Sequence, residues 1–87
     1  MELAVYFVWF FLAGTCIAVW PEVRYGNVGW HHIVHVRNDC DRTYVCDVST
    51  DVNPERQRVT VGGHKEVEVV TFLDSPSRVF TPKVDCK

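Results

Sequence analysis

The chain has 87 residues, four cysteines and a formal net charge of −2. So short a chain holds one domain, buries only around 60% of its unfolded surface and gains from cross-links. Neither charge sign is gathered into a run, so there is no electrostatic basis for binding nucleic acid or an anionic membrane surface, and the abundance of Val, Phe, Tyr and Trp argues against a disordered chain.

The chain opens on Leu3 to Ala13, eleven consecutive apolar residues, LAVYFVWFFLA. This run predicts an apolar helix over residues 1–18, acting as an export signal or an anchor, ahead of a small disulfide-bonded β domain over residues 19–87. Cys16 and Ala18 are small residues at the two positions a signal peptidase inspects, with the cut falling before Val19. The segment before the apolar run carries Glu2 and no Lys or Arg, which departs from an ordinary signal. A retained single-span anchor is the alternative: Leu3 to Trp20 is uncharged and at 1.5 Å per residue reaches ~27 Å, just enough for a bilayer. Membrane contact is then confined to residues 1–20. LAGTC also places Cys16 near small residues, as in a lipoprotein signal, but Thr15 and Ala13 fit that pattern poorly.

After Pro21, which ends any preceding helix, Tyr25 to Gly29 (YGNVG) has turn chemistry. The chain then reads as strands separated by short turns. His31 to Arg37 has mixed faces, with His32, Val34 and Val36 on one side and Ile33, His35 and Arg37 on the other. Asn38 to Arg42 is a turn, and Thr43 to Thr50 is a strand with Tyr44, Cys46 and Val48 on one face. Together with the turn at Asp51 to Glu55, this stretch reads as a cysteine-bearing β-hairpin. Gln57 to Val61, Lys65 to Leu73 and Arg78 to Cys86 are further strands, with Gly62-Gly63 as a hairpin signal between the first two. Pro82 is confined to a sheet edge or to a position whose amide is not needed. Five strands without a helical period between them predict an all-β fold, a small antiparallel immunoglobulin-like sandwich.

Cys46 and Cys86 both lie on apolar strand faces and form the favoured disulfide. If the preceding turn is a hairpin, Val36 faces Cys46, which leaves Cys40 to pair with Cys16. That second bridge requires any cleavage to precede Cys16, whereas a cut after Ala18 leaves three cysteines and one odd thiol. No metal site or cofactor is expected from this pattern. Cys40 and Cys46 have five residues between them where zinc knuckles have two to four, and along a strand His31 and His35 stand ~13 Å apart. The aspartates around Asn38 to Asn53 lack the glycine and closing glutamate of a calcium loop and suit turns better.

Trp30, with His31 and His32 beside it, is the candidate ligand platform, an indole on which a sugar or peptide could stack. Its competing role is to plug the end of a small sandwich. Ser49, Ser75 and Ser77 have no nucleophile-elbow context, and no glycine-rich phosphate loop exists. A thiol nucleophile is possible on residue types alone, but cysteines in an exported chain suit disulfides better.

The motifs NDCDRTYVCDVSTDVNP, the later SP and FTPKVDC, between residues 25 and 87, resemble a group of small exported bacterial proteins without assigned function. That group carries N-x-C, V-x-C-x-V-x-T-x-V-N-P, an S-P turn and F-x-P-x-V-x-C. The resemblance implies export and a compact β domain, and no activity. The expectation is therefore a non-enzymatic module of the cell envelope or extracellular space, secreted or periplasmic, whose partner is a protein or glycan. The alternative is a carbohydrate- or peptide-binding domain using Trp30.

Overall fold

The computed structural model describes residues 11–12 and 16–87, which are all-β. A two-residue strand β1 (Phe11–Leu12) is followed by β2 (Ile17–Tyr25), β3 (Trp30–Asn38), β4 (Tyr44–Thr50), β5 (Gln57–Val61), β6 (Glu66–Ser75) and β7 (Pro82–Cys86). They form two sheets, one ordered β1-β2-β3-β6 and the other β5-β4-β7, with every pairing antiparallel.

The amino-terminal expectation needs correction where the chain is described. Phe11–Leu12 and Ile17–Tyr25 are strand, so the helix expected over residues 1–18 does not extend through them. The rest of that expectation lies outside the described residues. Ile17 is fully buried in the core, and Cys16 is bonded to Cys40. The proposed cut after Ala18 therefore falls inside β2 and would remove a core side chain and one disulfide partner. Pro21 does not end the element either. Among the described residues, the Val19–Tyr25 part of β2 pairs only with β3, and a strand with one free side tolerates a missing amide.

From β3 onward the predicted strands are present with ends shifted by a few residues; the last begins at Pro82 instead of Arg78. Their connections differ from expectation. β3 and β4 do not form a hairpin but belong to different sheets, and so do β5 and β6 despite Gly62-Gly63 between them. β2–β3 and β4–β5, by contrast, are consecutive antiparallel pairs within one sheet. Turn residues specify a reversal without specifying whether the next strand pairs or crosses.

Two of the three connections that cross between the sheets, residues 39–43 and 62–65, lie side by side, the third being residues 76–81. His64 N donates to Cys40 O at 3.1 Å, and a Cβ on Gly63 would overlap the Asp41 carbonyl. Between them sits Asn38, fully buried. Its Nδ2 donates to Arg42 O (2.6 Å), Val61 O (3.2 Å) and Gly62 O (3.2 Å), while its Oδ1 accepts from Cys40 N at 3.0 Å. One side chain thus satisfies backbone groups that neither sheet ladder can reach.

The sheets pack over a shared core of Ile17, Val19, Val34, Val36 and Val69 from the first, Tyr44, Cys46, Val48 and Val61 from the second, and Phe80 from the segment before β7. The period-two face read for Tyr44, Cys46 and Val48 is buried in β4, and β6 alternates likewise, with Val69 and Thr71 buried while Glu66, Glu68 and Val70 face outward. β7 is an edge strand, which accommodates Pro82. Cys46 and Cys86 stand opposite each other in the β4–β7 register and are bonded, and the Cys16–Cys40 bridge ties the start of β2 to the first crossover. All four cysteines are thereby engaged.

Candidate functional site

Trp30, His31 and His32 do not share a surface. Trp30 is half-buried at the end of β3, edge-on to Tyr25 with ring centroids 4.8 Å apart, and the Arg78 guanidinium lies 5.0 Å above the indole. His31 turns to the other side, where its Nδ1 accepts from the Asp74 amide at 3.2 Å. His32 is fully buried, stacked on Phe80 at 4.4 Å, and its Nε2 donates to Ser77 O at 2.7 Å. His32 is thus core packing and presents no face to a ligand, whereas Trp30, Tyr25 and Arg78 form a small aromatic-cationic group at one end of the domain.

A denser polar constellation occupies the outward face of β2, β3 and β6. Antiparallel register sets Trp20 opposite His35, and His35 opposite Glu68. Glu22, two residues along β2 from Trp20, and Glu66, two along β6 from Glu68, project on the same face. The His35 side chain is only 9% exposed and lies flat on Trp20, with centroids 5.1 Å apart and planes 5° from parallel. Its Nε2 donates to Glu22 Oε1 at 2.6 Å. The opposite nitrogen, Nδ1, is buried without a hydrogen-bond partner and lies 3.4 Å from a Glu66 oxygen. Arg24 holds Glu22 through two bonds of 2.9 Å and stands 3.7 Å from Glu68. Beyond Trp20, the Arg37 guanidinium stacks at 5.5 Å from the indole centroid.

The electrostatics follow from these contacts. Burial alone would raise the Glu22 pKa, but hydrogen bonds from His35 and Arg24, with the Arg24 charge behind them, prevail and hold it below its ordinary value of 4.5. On the second sheet Arg58 similarly holds Asp47 below its ordinary 3.8 through a direct hydrogen bond. Ligand atoms of Glu22, His35 and Glu68 all lie within 4.8 Å of one another. Two carboxylates and an imidazole at that spacing are groups able to hold a metal ion or to grip a cationic ligand.

This group is not among the candidates read from the sequence. The alternation of Lys65 to Leu73 sets Glu66 and Glu68 on one face, but the mixed faces of His31 to Arg37 leave the side of His35 open, and Glu22 lay in a stretch not recognised as a strand. Without β2, one side of the site is missing. A carboxylate pair at i, i+2 on a predicted outward face was the available signal. Among the described residues, no helix is long and apolar enough to cross a membrane. Comparison of the chain with protein-family models, with curated proteins and with solved structures finds no match.

Proposed function

We propose that the chain is a non-enzymatic exported module of the immunoglobulin-like type, resembling the small exported bacterial proteins with the same cysteine and proline motifs, and that it acts by surface contact in the cell envelope or outside the cell. The observation that carries this reading is the pair of disulfides in a small all-β domain. Such bridges persist in oxidising compartments, and they supplement a core too small to be secure alone. The strand order supports the immunoglobulin-like assignment, since β2-β3-β6 facing β5-β4-β7 follows the A-B-E and C′-C-F pattern of that architecture. The partner is a protein or glycan, and the chain is secreted, periplasmic or held by a single apolar span. Mass spectrometry of the protein from the exported fraction, with and without reduction, tests this. Two intact bridges and a mature chain that retains Cys16 are expected; a cytosolic protein with four free thiols would overturn it.

A second reading, carbohydrate or peptide binding, is favoured by one feature, the Trp30 indole with Tyr25 against it and Arg78 above it. Tryptophan fluorescence titrated with glycans and peptides should respond in the parent and lose the response in Trp30→Ala. An unchanged parent signal across the panel removes this reading and leaves the first standing.

A further inference from the structure

We propose that Glu22, His35 and Glu68 form a binding site for a single Zn²⁺ ion, with Glu66 as the residue that orients His35. The three ligand atoms come from three adjacent strands and already lie within 4.8 Å of one another. A tetrahedral ion with bonds of about 2.0–2.2 Å sets its ligands ~3.4 Å apart, so closure needs a carboxylate to move by ~1 Å. Glu68, half-exposed at 50%, has the freedom to make that movement.

Two observations beyond the grouping point to a cation. The first is the environment of His35. Its Nε2 bonds Glu22 at 2.6 Å, while the opposite nitrogen, Nδ1, is buried without a hydrogen-bond partner 3.4 Å from a Glu66 oxygen. Metal bound at Nε2 leaves Nδ1 as the ring nitrogen that carries a hydrogen. Nδ1 then donates it to Glu66, the carboxylate–histidine–metal relay found where histidine ligates zinc. The Trp20 stack holds the ring plane for that geometry.

The second is charge. Glu22, Glu66 and Glu68 are three acidic side chains, and among the described residues Arg24 is the one Lys or Arg within 4 Å of any of them. Three carboxylates against one guanidinium around the His35 ring leave an acidic excess that suits a divalent cation. Zinc is favoured over calcium and magnesium, which prefer all-oxygen shells. Arg24 acts as the competitor that Zn²⁺ displaces from Glu22.

Calorimetry and native mass spectrometry of the oxidised full chain with ZnCl₂ test the site. One ion per chain is expected, with Mg²⁺ giving no binding. Glu68→Gln should weaken affinity by at least about tenfold, and Glu66→Gln by about 10- to 100-fold through the lost orientation of His35. Arg24→Gln should strengthen it. His64→Ala, at an exposed histidine in the 62–65 connection that pairs with Asp41, should leave it unchanged. Glu66 and Glu68 are exposed, so their replacement leaves the core intact, and an unchanged circular dichroism spectrum checks this. Absence of saturable binding, or binding that survives Glu68→Gln and disappears with His64→Ala, overturns the proposal.

Discussion

Replacing Asn38 by Ala strikes the buried side chain that joins the 39–43 and 62–65 crossovers. The variant removes the donor to Arg42 O, Val61 O and Gly62 O and the acceptor for Cys40 N. A buried carbonyl left without a partner costs ~1–3 kcal/mol. The Val61 bond is fully buried and takes about 2 kcal/mol of that range, while the other groups lie in turns where water recovers most of their loss, adding ~1 kcal/mol together. The total, about 3 kcal/mol, is large against the ~4–11 kcal/mol expected for the 72 residues from 16 to 87 at about 0.05–0.15 kcal/mol each. At roughly 4–8 °C per kcal/mol, the melting temperature falls by ~12–24 °C. Asn38→Asp should be at least as damaging at neutral pH, because a carboxylate would face three carbonyl oxygens, and part of its loss should be recovered in acid. Thermal denaturation followed by circular dichroism, with the exposed Asp39→Ala as control, provides the measurement. A melting temperature for Asn38→Ala within ~3 °C of the parent would refute the role of Asn38 as a joint.

The disulfides give a second expectation. Chain entropy assigns ~3.4 kcal/mol to Cys16–Cys40, with a separation of 24, and ~3.9 kcal/mol to Cys46–Cys86, with a separation of 40. Paired Cys→Ser variants should therefore melt lower to similar extents, and full reduction should leave the chain largely unfolded at 37 °C; a reduced protein melting within a few degrees of the oxidised one contradicts this. In acid, Glu22 and Asp47 set the trend. Both are held below their ordinary values, so the stability they contribute is present above about pH 4.5 and is lost as pH falls through their folded-state values. Equilibrium unfolding between pH 6 and pH 2 should show this limb, with a shallower slope in Glu22→Gln, and an identical slope would count against the Glu22 contacts.

The sequence was most informative where one face of a strand is apolar and the other polar. β4 and β6 alternate cleanly, and the strand ends at Gln57–Val61 coincide with turn residues on both sides. It was least informative at β2, where Ile17, Val19 and Trp20 continue an apolar run that began at Leu3 and so shared its reading as one segment. The topology was hidden for a different reason. Asn38 to Arg42 and Gly62-Gly63 encode reversals, but the choice of sheet is made by long-range partners, such as the Asn38 amide reaching Val61 and Gly62. The Glu22, His35, Glu66 and Glu68 group is a product of that register and has no contiguous motif.

The placement of the two bridges also determines how the domain responds to tension. Pulled between Cys16 and Lys87, a reduced chain has 71 residue steps to release, or roughly 250 Å at about 3.5 Å per step. In the oxidised chain the covalent route runs from Cys16 across 5.2 Å to Cys40, along six steps to Cys46, across 4.0 Å to Cys86 and on to Lys87. That route is only about 35 Å long at full stretch, close to the 39 Å long axis of the folded domain. Strand pairs outside it carry no load, so the oxidised molecule behaves as a nearly inextensible link.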